Sequence, residues 1–322
     1  MLKNIKFREF KVDDLPFLVN ISNLIYSDYP TTIEELEHWF SNYDHTKYLM
    51  KKYVATNKQD EVVAYSYYYH EPILYHPHKF SLELAVHPEW QKQGIGSHFY
   101  NLLLKEWITL NTLVIRTSTR EDKKDSLSFI INRGFKEKRR SWESRLNLQE
   151  FVLDDFIQAF SSIQHQGIEI TTLADEVRKD ENAYEKLYEH HPTTMGDMPL
   201  PDTYTPVSFA EFIKQVINSP NLIPEAFFIA KAGELYVGES YLQASKADPT
   251  QPYQGLTAVR REFRGKGIAT ALKIKVIEFA QKNNYKTIKT SNDSENPSML
   301  GINQRLGFVR QPAWIQFERE FV

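Results

Sequence analysis

The two halves of the chain carry the same succession of hydrophobic and polar patterns. In the first half, runs of alternating aromatic and β-branched residues predict four strands. These strands cover residues 5–10, 48–55, 62–69 and 82–86. Apolar residues at helical spacing predict helices over 12–25 and 32–40. A further helix, with Ile95, Phe99 and Trp107 on one face, follows the last of these strands.

The second half repeats this succession. Its predicted strands cover residues 167–172, 226–231, 235–242 and 256–259. The helix that begins at about Gly267 places Ile268 and Leu272 on one stripe. A helix is also predicted over 208–217, whereas residues 153–164 connect the two halves. Each half is therefore predicted as a strand, two helices, a meander of strands, and then strand, helix, strand, helix and strand.

Short motifs confirm that the halves are copies of each other. Residues 91–96 (Gln-Lys-Gln-Gly-Ile-Gly) and 264–269 (Arg-Gly-Lys-Gly-Ile-Ala) lie 173 positions apart. The Gly-Phe pairs at 134–135 and 307–308 return the same offset of 173. A register that is kept without a gap between two separate motifs indicates a duplication.

A repeat of this length corresponds to two whole domains, because solenoid repeats are far shorter. The chain has 322 residues, which is enough for two domains that each bury a core. The sequence predicts one domain over residues 1–147 and a second over 166–322, with 148–165 as the connecting segment.

Composition narrows the class of protein. With 41% hydrophobic and 25% charged residues, the chain is predicted to be globular and soluble. A net charge of −3 gives no electrostatic reason to expect nucleic acid or a membrane surface as a partner. The absence of cysteine excludes disulfides, thiolate nucleophiles and thiolate metal sites. No signal peptide or apolar span is recognisable, so a cytoplasmic location is expected.

The repeated glycine motif has the chemistry of an anion-binding turn. In each copy a strand runs into a glycine-containing turn and then into a helix. Glycine removes the Cβ atoms that would obstruct an anion, and the amides of the first helical turn point at it. Thr270 and Ser97 follow where a hydroxyl can join those amides. The motif therefore predicts a pyrophosphate site.

Two common phosphate motifs do not fit. A P-loop requires G-x-x-x-x-G-K-[ST], but Lys266 is followed by Gly267 and the first glycine position holds Arg260. A dinucleotide fingerprint ends in glycine or alanine, where the two copies have Thr270 and Phe99.

The pattern that fits is [QR]-x-x-G-x-[GA] between a strand and a helix, followed some forty residues later by Gly-Phe. In this the chain resembles the GNAT superfamily of N-acyltransferases, once in each half. The resemblance implies an α+β fold with two tandem domains, each a mixed, mainly antiparallel sheet flanked by helices. It also implies acyl-CoA contacts at the matching residues. In the second half these are Val259, Arg264, Gly265, Lys266, Gly267, Ile268, Ala269, Thr270, Asn292 and Asn296. In the first half they are Val86, Gln91, Gln93, Gly94, Gly96 and Ser97.

The two copies differ in the residues that follow the turn. Family members place an asparagine near the pantetheine arm, as Asn296 does here, and often a thiolate-protonating tyrosine where this chain has Asn303. The corresponding residues of the first half are Lys123 and Ile130. The resemblance therefore implies that the second half is the catalytic one and that the first has diverged.

What the resemblance implies for function is an acyl-CoA-dependent N-acyltransferase with acetyl-CoA as the default donor. The acceptor is an amine of a small molecule or peptide, which attacks the thioester directly in a ternary complex. Glu239 is the candidate general base and Asn303 the second candidate catalytic residue. For Glu239, and for Glu83 in the first half, a solvated surface role is the alternative. A CoA-binding sensor or scaffold without turnover is the alternative function, because the tyrosine is missing.

Three further points concern the two adjacent histidines, a proline-rich segment and the oligomeric state. His190 and His191 are expected to be surface residues, and no metal site is predicted. The proline-rich segment 192–206 is predicted to be a long loop whose Asp197 and Asp202 receive a cationic amine. The sequence leaves the oligomeric state open, so an oligomer is possible.

Overall fold

The computed structural model describes residues 4–321, apart from several side chains between 154 and 161, and it divides the chain into two compact units. Unit 1 contains the chain up to Arg140 together with the C-terminal stretch from Trp314. Unit 2 is Ser141–Ala313. Each unit contains one copy of the glycine motif.

The described chain contains thirteen strands, numbered here in chain order. They are β1 Lys6–Glu9, β2 Met50–Thr56, β3 Val62–Tyr69, β4 Lys79–Val86, β5 Val114–Arg120, β6 Lys136–Asn147, β7 Ile168–Thr172, β8 Leu222–Ala232, β9 Leu235–Gln243, β10 Tyr253–Val259, β11 Thr287–Asp293, β12 Val309–Arg310 and β13 Trp314–Glu320.

Ten α-helices accompany these strands in the described residues. They are α1 Leu15–Ile25, α2 Ile33–Ser41, α3 Ile95–Thr109, α4 Lys124–Ile131, α5 Ile157–Gln164, α6 Leu173–Lys179, α7 Ala183–Met195, α8 Phe209–Phe212, α9 Ile268–Lys282 and α10 Pro297–Arg305. A π-helical turn over Ile213–Ile217 extends α8, so the predicted helix over 208–217 is present with an irregular second half.

The sheets of the two units have the same topology. Unit 1 has the strand order β1-β2-β3-β4-β5-β13, and unit 2 has the order β7-β8-β9-β10-β11-β6, with β12 also paired to β6. All neighbours in each order are antiparallel except β4 with β5 and β10 with β11. The predicted fold class, a mixed and mainly antiparallel sheet with helices in each half, is confirmed.

Each unit takes one strand from the other half of the sequence. The terminal strand β13 pairs with β5 over seven residues in unit 1. Strand β6, which ends the first half of the sequence, pairs with β11 over seven residues in unit 2. Sequence order alone does not divide the chain in this way, because the pairing partner of a strand is decided by long-range packing.

The two parallel pairs separate soon after they begin. Strands β10 and β11 are in register only at Tyr253 with Lys289, although β10 continues to Val259. Strands β4 and β5 are paired only over Lys79–Ser81, although β4 continues to Val86. Beyond these points the facing backbone groups have no neighbouring strand, so each sheet opens into a cleft.

One long helix packs beside each cleft. In unit 2, α9 buries Leu272, Val276 and Ala280 completely against the sheet. In unit 1, α3 buries Phe99 and Trp107 in the same way. The predicted apolar faces are therefore the core faces. No helix in residues 4–321 has both the length and the apolar character that a membrane crossing requires.

Candidate active site

The glycine turn of unit 2 presents free amides at the start of α9. Gly267 is the N-cap residue and has φ +84°, a left-handed conformation that glycine adopts without strain. The carbonyl of Gly267 accepts from the Ala271 amide at 3.0 Å, which closes the first helical turn. The amides of Ile268, Ala269 and Thr270 therefore have no acceptor within the helix. Together with the helix dipole they form a site for a negatively charged group.

Unit 1 repeats this geometry. Gly94 is the N-cap of α3 with φ +88°, and its carbonyl accepts from His98 at 3.0 Å. The first residue of the glycine motif makes the same hydrogen bond in both units. Gln91 Nε2 donates to the Val86 carbonyl at 3.0 Å. In unit 2, Arg264 Nε donates to the Val259 carbonyl at 2.9 Å, so this side chain ties the turn to the end of the preceding strand.

A cleft of about 900 Å³ in unit 2 runs from this turn along the separated end of β10. Eight residues that the resemblance assigned to acyl-CoA line it. They are Val259, Arg264, Gly265, Gly267, Ile268, Ala269, Thr270 and Asn296. The side chain of Asn296 caps α10, since its Oδ1 accepts from the Met299 amide at 3.1 Å.

The lining of the cleft leaves out four predicted site residues of unit 2, namely Lys266, Asn292, Asn303 and Glu239. The ammonium of Lys266 lies over the Phe263 ring, 4.7 Å from its centroid. Asn303 is buried and its Nδ2 donates to Asn292 Oδ1 at 2.5 Å. Both asparagines thus serve the packing of α10 against β11. Asn303 thus lies outside the cleft lining, and a catalytic role for it stays a prediction.

The cleft of unit 1 is smaller, about 380 Å³. The predicted residues Val86, Gln91, Gly94, Gly96 and Ser97 line it.

Other side chains occupy part of the unit 1 turn. The guanidinium of Arg133 donates to Ser97 Oγ at 2.7 Å. The Phe129 ring lies so close to Gly96 that a Cβ there would be 3.1 Å from it. Gln93 Nε2 donates to the Glu89 carbonyl at 3.1 Å, and this residue lies outside the lining. The Ser97 hydroxyl of unit 1 is therefore already hydrogen-bonded to a side chain of its own unit.

Glu83 contributes a carboxylate to the lining of the unit 1 cleft. Burial raises its pKa to about 7. It lies beside Tyr26, whose hydroxyl is 3.1 Å from Thr119 Oγ1. Glu83 is thus half-buried in an apolar and aromatic setting, which replaces the expectation of a fully solvated residue.

Glu239 in unit 2 is fully buried, contrary to the expectation of a solvated surface residue. It lies on β9 opposite Ala258 of β10. Its Oε1 is 3.2 Å from His191 Nδ1. Thr194 lines the cleft and Glu239 does not; the Thr194 hydroxyl donates to the His191 carbonyl at 2.9 Å and lies 3.4 Å from Glu239 Oε1, so it stands between the carboxylate and the cleft.

The expectation of two surface histidines is wrong. His190 is fully buried and its Nε2 is 3.8 Å from Glu239 Oε1, while the His191 side chain is 16% exposed. Both belong to α7, which continues through Pro192 to Met195 instead of ending in a loop. The signal that sequence reasoning missed is the helical spacing of Leu187, His190 and Thr194, which face the sheet together.

Glu239 and His191 each stabilise the charged form of the other. For Glu239, burial would raise the pKa, but His191, His190 and Thr194 outweigh it and the pKa is lowered. For His191, burial would lower the pKa, but Glu239 outweighs it and the pKa is raised. Burial lowers the pKa of His190. The pair therefore favours a carboxylate beside an imidazolium, with His191 as the member that reaches solvent.

Both carboxylate oxygens of Asp197 accept hydrogen bonds from arginines, one in the glycine turn and one just before it. Its Oδ2 accepts from Arg264 Nη2 at 2.6 Å, and its Oδ1 accepts from Arg261. The hydrogen bond from Arg261 is the main reason that the pKa of Asp197 is lowered. Because both oxygens are engaged at the turn, Asp197 belongs to the anion-binding end of the cleft and not to a receptor for a cationic amine.

Sequence comparison decides the family. The sequence profile of the acetyltransferase (GNAT) family matches residues 15–135 and 198–308, which together make up more than half of the chain. The chain belongs to the GNAT acetyltransferase family. Each match spans the glycine turn of one unit, so both copies carry the GNAT domain. No curated protein matches the sequence.

Solved structures share the fold of this chain. A tandem GNAT protein from the clavulanic acid biosynthesis pathway has a TM-score of 0.73 at 14% identity, with 98% of each chain covered. A GCN5-related N-acetyltransferase from Sphaerobacter thermophilus has a TM-score of 0.68 at 17% identity, covering 98% of this chain and 95% of that one. At these identities the likeness concerns the fold.

Within the described residues, no three histidine, aspartate or glutamate side chains converge as metal ligands would. The Glu239 cluster has one carboxylate and two imidazoles, with a single oxygen facing both rings.

Proposed function

We propose that unit 2 is an acyl-CoA-dependent N-acyltransferase that uses acetyl-CoA to acylate an amine of a small molecule or peptide. The observation that carries this proposal is the 900 Å³ cleft in which the free amides of α9 meet the separated end of β10. The turn offers a place for pyrophosphate. The unpaired edge of β10 offers backbone groups for the pantetheine arm and the thioester.

The same geometry supports direct attack by the amine. Beyond Tyr253, the edge of β10 that faces β11 has no paired strand, so its amides are available to the thioester oxygen. A register shift between Gln254 and Thr257 bends β10 at this point, as bulges beside active sites often do. A donor held at both ends needs only an oriented amine and a proton acceptor. No covalent enzyme intermediate is required.

The proton acceptor in this proposal is the pair of Glu239 and His191. A base that a buried carboxylate orients is a recurring catalytic arrangement. Thr194 stands between Glu239 and the cleft, and His191 connects Glu239 to solvent. With His191 neutral, the pair can take a proton from the attacking amine and so become the carboxylate–imidazolium pair, and His191 then releases that proton to solvent. This role goes beyond the sequence-based assignment of Glu239 alone.

Thiol release distinguishes an enzyme from a CoA-binding sensor. We expect purified protein to release CoA thiol from acetyl-CoA when a suitable primary amine is present, measured with a thiol reagent across a panel of amines and amino-terminal peptides. The control is the same panel with the Gly267→Val variant, which removes the donor site. Tight CoA binding without thiol release from any amine would support the sensor instead.

The Glu239–His191 pair predicts a defined pH dependence of stability. The raised pKa of His191 stabilises the fold below about pH 6.5, and this contribution is lost as the pH rises through the raised value. The lowered pKa of Glu239 stabilises the fold above about pH 4.5, and this contribution is lost on acidification. We therefore expect His191→Gln to lose about 1–3 kcal/mol of unfolding free energy at pH 6 and less at pH 9.

Urea denaturation at pH 5, 6, 7 and 9 measures this difference. The matched control is His165→Gln, which changes an exposed histidine of the same unit. If His191→Gln and His165→Gln give parallel curves at all pH values, the ion pair does not contribute to stability.

Asp197→Asn is predicted to act on the donor. Removing its charge frees Arg261 and Arg264 for the pyrophosphate, so CoA should bind about two- to fivefold more tightly. Isothermal titration with CoA measures the change, and the Michaelis constant of the amine should stay the same. Asp202→Asn, in the same segment, is the control. A weakened CoA affinity for Asp197→Asn would show that Asp197 holds the arginines in their binding positions.

A further inference from the structure

A chain of buried polar side chains lies between α9 and the sheet of unit 2. Lys273 Nζ donates to Gln254 Oε1 at 2.5 Å, and Gln254 Nε2 donates to Ser240 Oγ at 3.0 Å. Ser240 Oγ is in turn 2.7 Å from Thr257 Oγ1. All but Thr257 are buried, and Thr257 lines the cleft. We call these four residues the Lys273 network.

The network lies where the cleft begins. Gln254 directly follows Tyr253, the last residue of β10 that is in register with β11. Thr290 Oγ1 of β11 donates to the Gln254 carbonyl at 3.2 Å. The register shift of β10 against β9 falls between Gln254 and Thr257. Gln254 and Thr257, at the two ends of the bulge, are therefore both hydrogen-bonded to Ser240 of β9, and Gln254 is also hydrogen-bonded to Lys273 of α9.

The bulged residues between these ends form the cleft wall. Gly255 lies under the Tyr241 ring, so closely that a Cβ would be 2.2 Å from a ring carbon. Leu256 lines the cleft directly after it. A side-chain shift at Gln254 or Thr257 would thus change the path of the wall at the point where a thioester has to lie.

A buried lysine is a costly way to hold this segment. Lys273 is 1% exposed, and burial lowers the pKa of its amine to about 7. Within the described residues, its neighbours are the Gln254 amide and the Phe308 ring, without a carboxylate at ion-pair distance. An apolar residue would pack there more cheaply. Unit 1 lacks such a network, because the positions equivalent to Lys273, Gln254 and Thr257 are Tyr100, Ser81 and Leu84.

We propose that Lys273 is a positioning residue, which acts through Gln254 to fix Thr257 and the bulge of β10 that forms the thioester end of the donor cleft. The proposal rests on the proposed function of unit 2. Its reason is geometric: a thioester must be held in line with the amine, and small displacements of the wall cost rate without removing the pyrophosphate contacts.

Hydrogen exchange tests the positioning without any need for turnover. In Lys273→Met, we expect the backbone amides of residues 255–259 to exchange about tenfold faster than in the wild type. The amides of the turn at 264–269 should be unchanged. Lys282→Met replaces an exposed lysine on the same helix and should change neither segment. If Lys273→Met does not fold, Ser240→Ala removes the central hydroxyl of the network and should give the same local change.

Kinetics tests the link to the reaction. We expect Lys273→Met to lower kcat about tenfold while the Kd for CoA changes by less than about twofold. Thr257→Val should lower kcat similarly, and the double variant should be no worse than the more affected single variant, because both changes break one chain. Multiplying effects, or equal losses in kcat and CoA affinity, would overturn the proposal.

The two measurements separate this proposal from the proposed function. If the wild type releases no thiol with any amine, the proposed function fails, and the exchange of residues 255–259 still decides whether Lys273 holds the wall. Wild-type exchange in both Lys273→Met and Ser240→Ala would overturn the positioning role, whatever the activity.

Discussion

Gly267→Val is expected to lower thiol release from acetyl-CoA at least a hundredfold, about the loss that follows when the stabilising amides of an active site are displaced. Gly267 has φ +84°, which a β-branched residue adopts only with strain. A Cβ at this position would have only Ile163 Cγ2, at 3.9 Å, within 4 Å. The added side chain therefore enters open space at the entrance to the α9 amides, where the pyrophosphate is proposed to lie.

Gly233→Val separates obstruction from backbone strain. Gly233 also has positive φ, +60°, and a Cβ there would meet nothing within 4 Å. It lies between β8 and β9, outside the cleft lining. Both variants should lose about 1–3 kcal/mol of unfolding free energy, but only Gly267→Val should lose CoA binding and turnover. Normal turnover of Gly267→Val would show that the turn of unit 2 is not the donor site.

A pair of double variants is expected to identify the catalytic unit. Arg264→Ala with Asn296→Ala should remove at least about 99% of the activity, because a guanidinium supplies charge-assisted bonds to pyrophosphate and also ties the turn to the Val259 carbonyl. Gln91→Ala with Gly94→Val in unit 1 should remove less than about half. The physical reason is that the smaller cleft of unit 1 already has Arg133 on its Ser97 hydroxyl.

Stability controls accompany this comparison. Asn296 caps α10, so its replacement by alanine costs about 1 kcal/mol of folding free energy. Asn296→Ser restores a capping oxygen and should regain stability, but not the contact with the pantetheine arm. If the unit 1 pair is the damaging one, catalysis belongs to unit 1. Glu83, whose pKa burial raises to about 7, would then be the first base to replace.

Gln91 donates a hydrogen bond to the Val86 carbonyl, as Arg264 does to the Val259 carbonyl in unit 2, but Gln91 carries no charge. This is why the two turns share a backbone geometry and are predicted to differ in affinity. Lys266 and Gln93 lie outside the lining of the clefts, where Lys266 contacts the Phe263 ring and Gln93 donates to the Glu89 carbonyl, so their contacts with CoA stay predictions.

The sequence by itself determined the duplication, the fold class and the position of both glycine turns. These features depend on local spacing. Alternating apolar residues predict a strand, and apolar residues at helical spacing predict a helix. A glycine with positive φ is the N-cap of both α3 and α9. Seven of the eight predicted acyl-CoA residues that line the cleft of unit 2 fall within residues 259–270, so one local motif places them together, whereas Asn296 joins them from the start of α10.

Only the tertiary structure decided which distant side chains meet. It brought Glu239 to His191 from elements 48 positions apart, Asp197 to Arg264, and Lys273 to Gln254. It also paired β13 with β5 and carried α7 through Pro192. Such contacts are set by the packing of whole elements, and burial then decides whether a carboxylate or an amine is solvated, paired or held in the core. Residue spacing can place His190 on the core face of α7, but it does not say which side chain of another element it meets there.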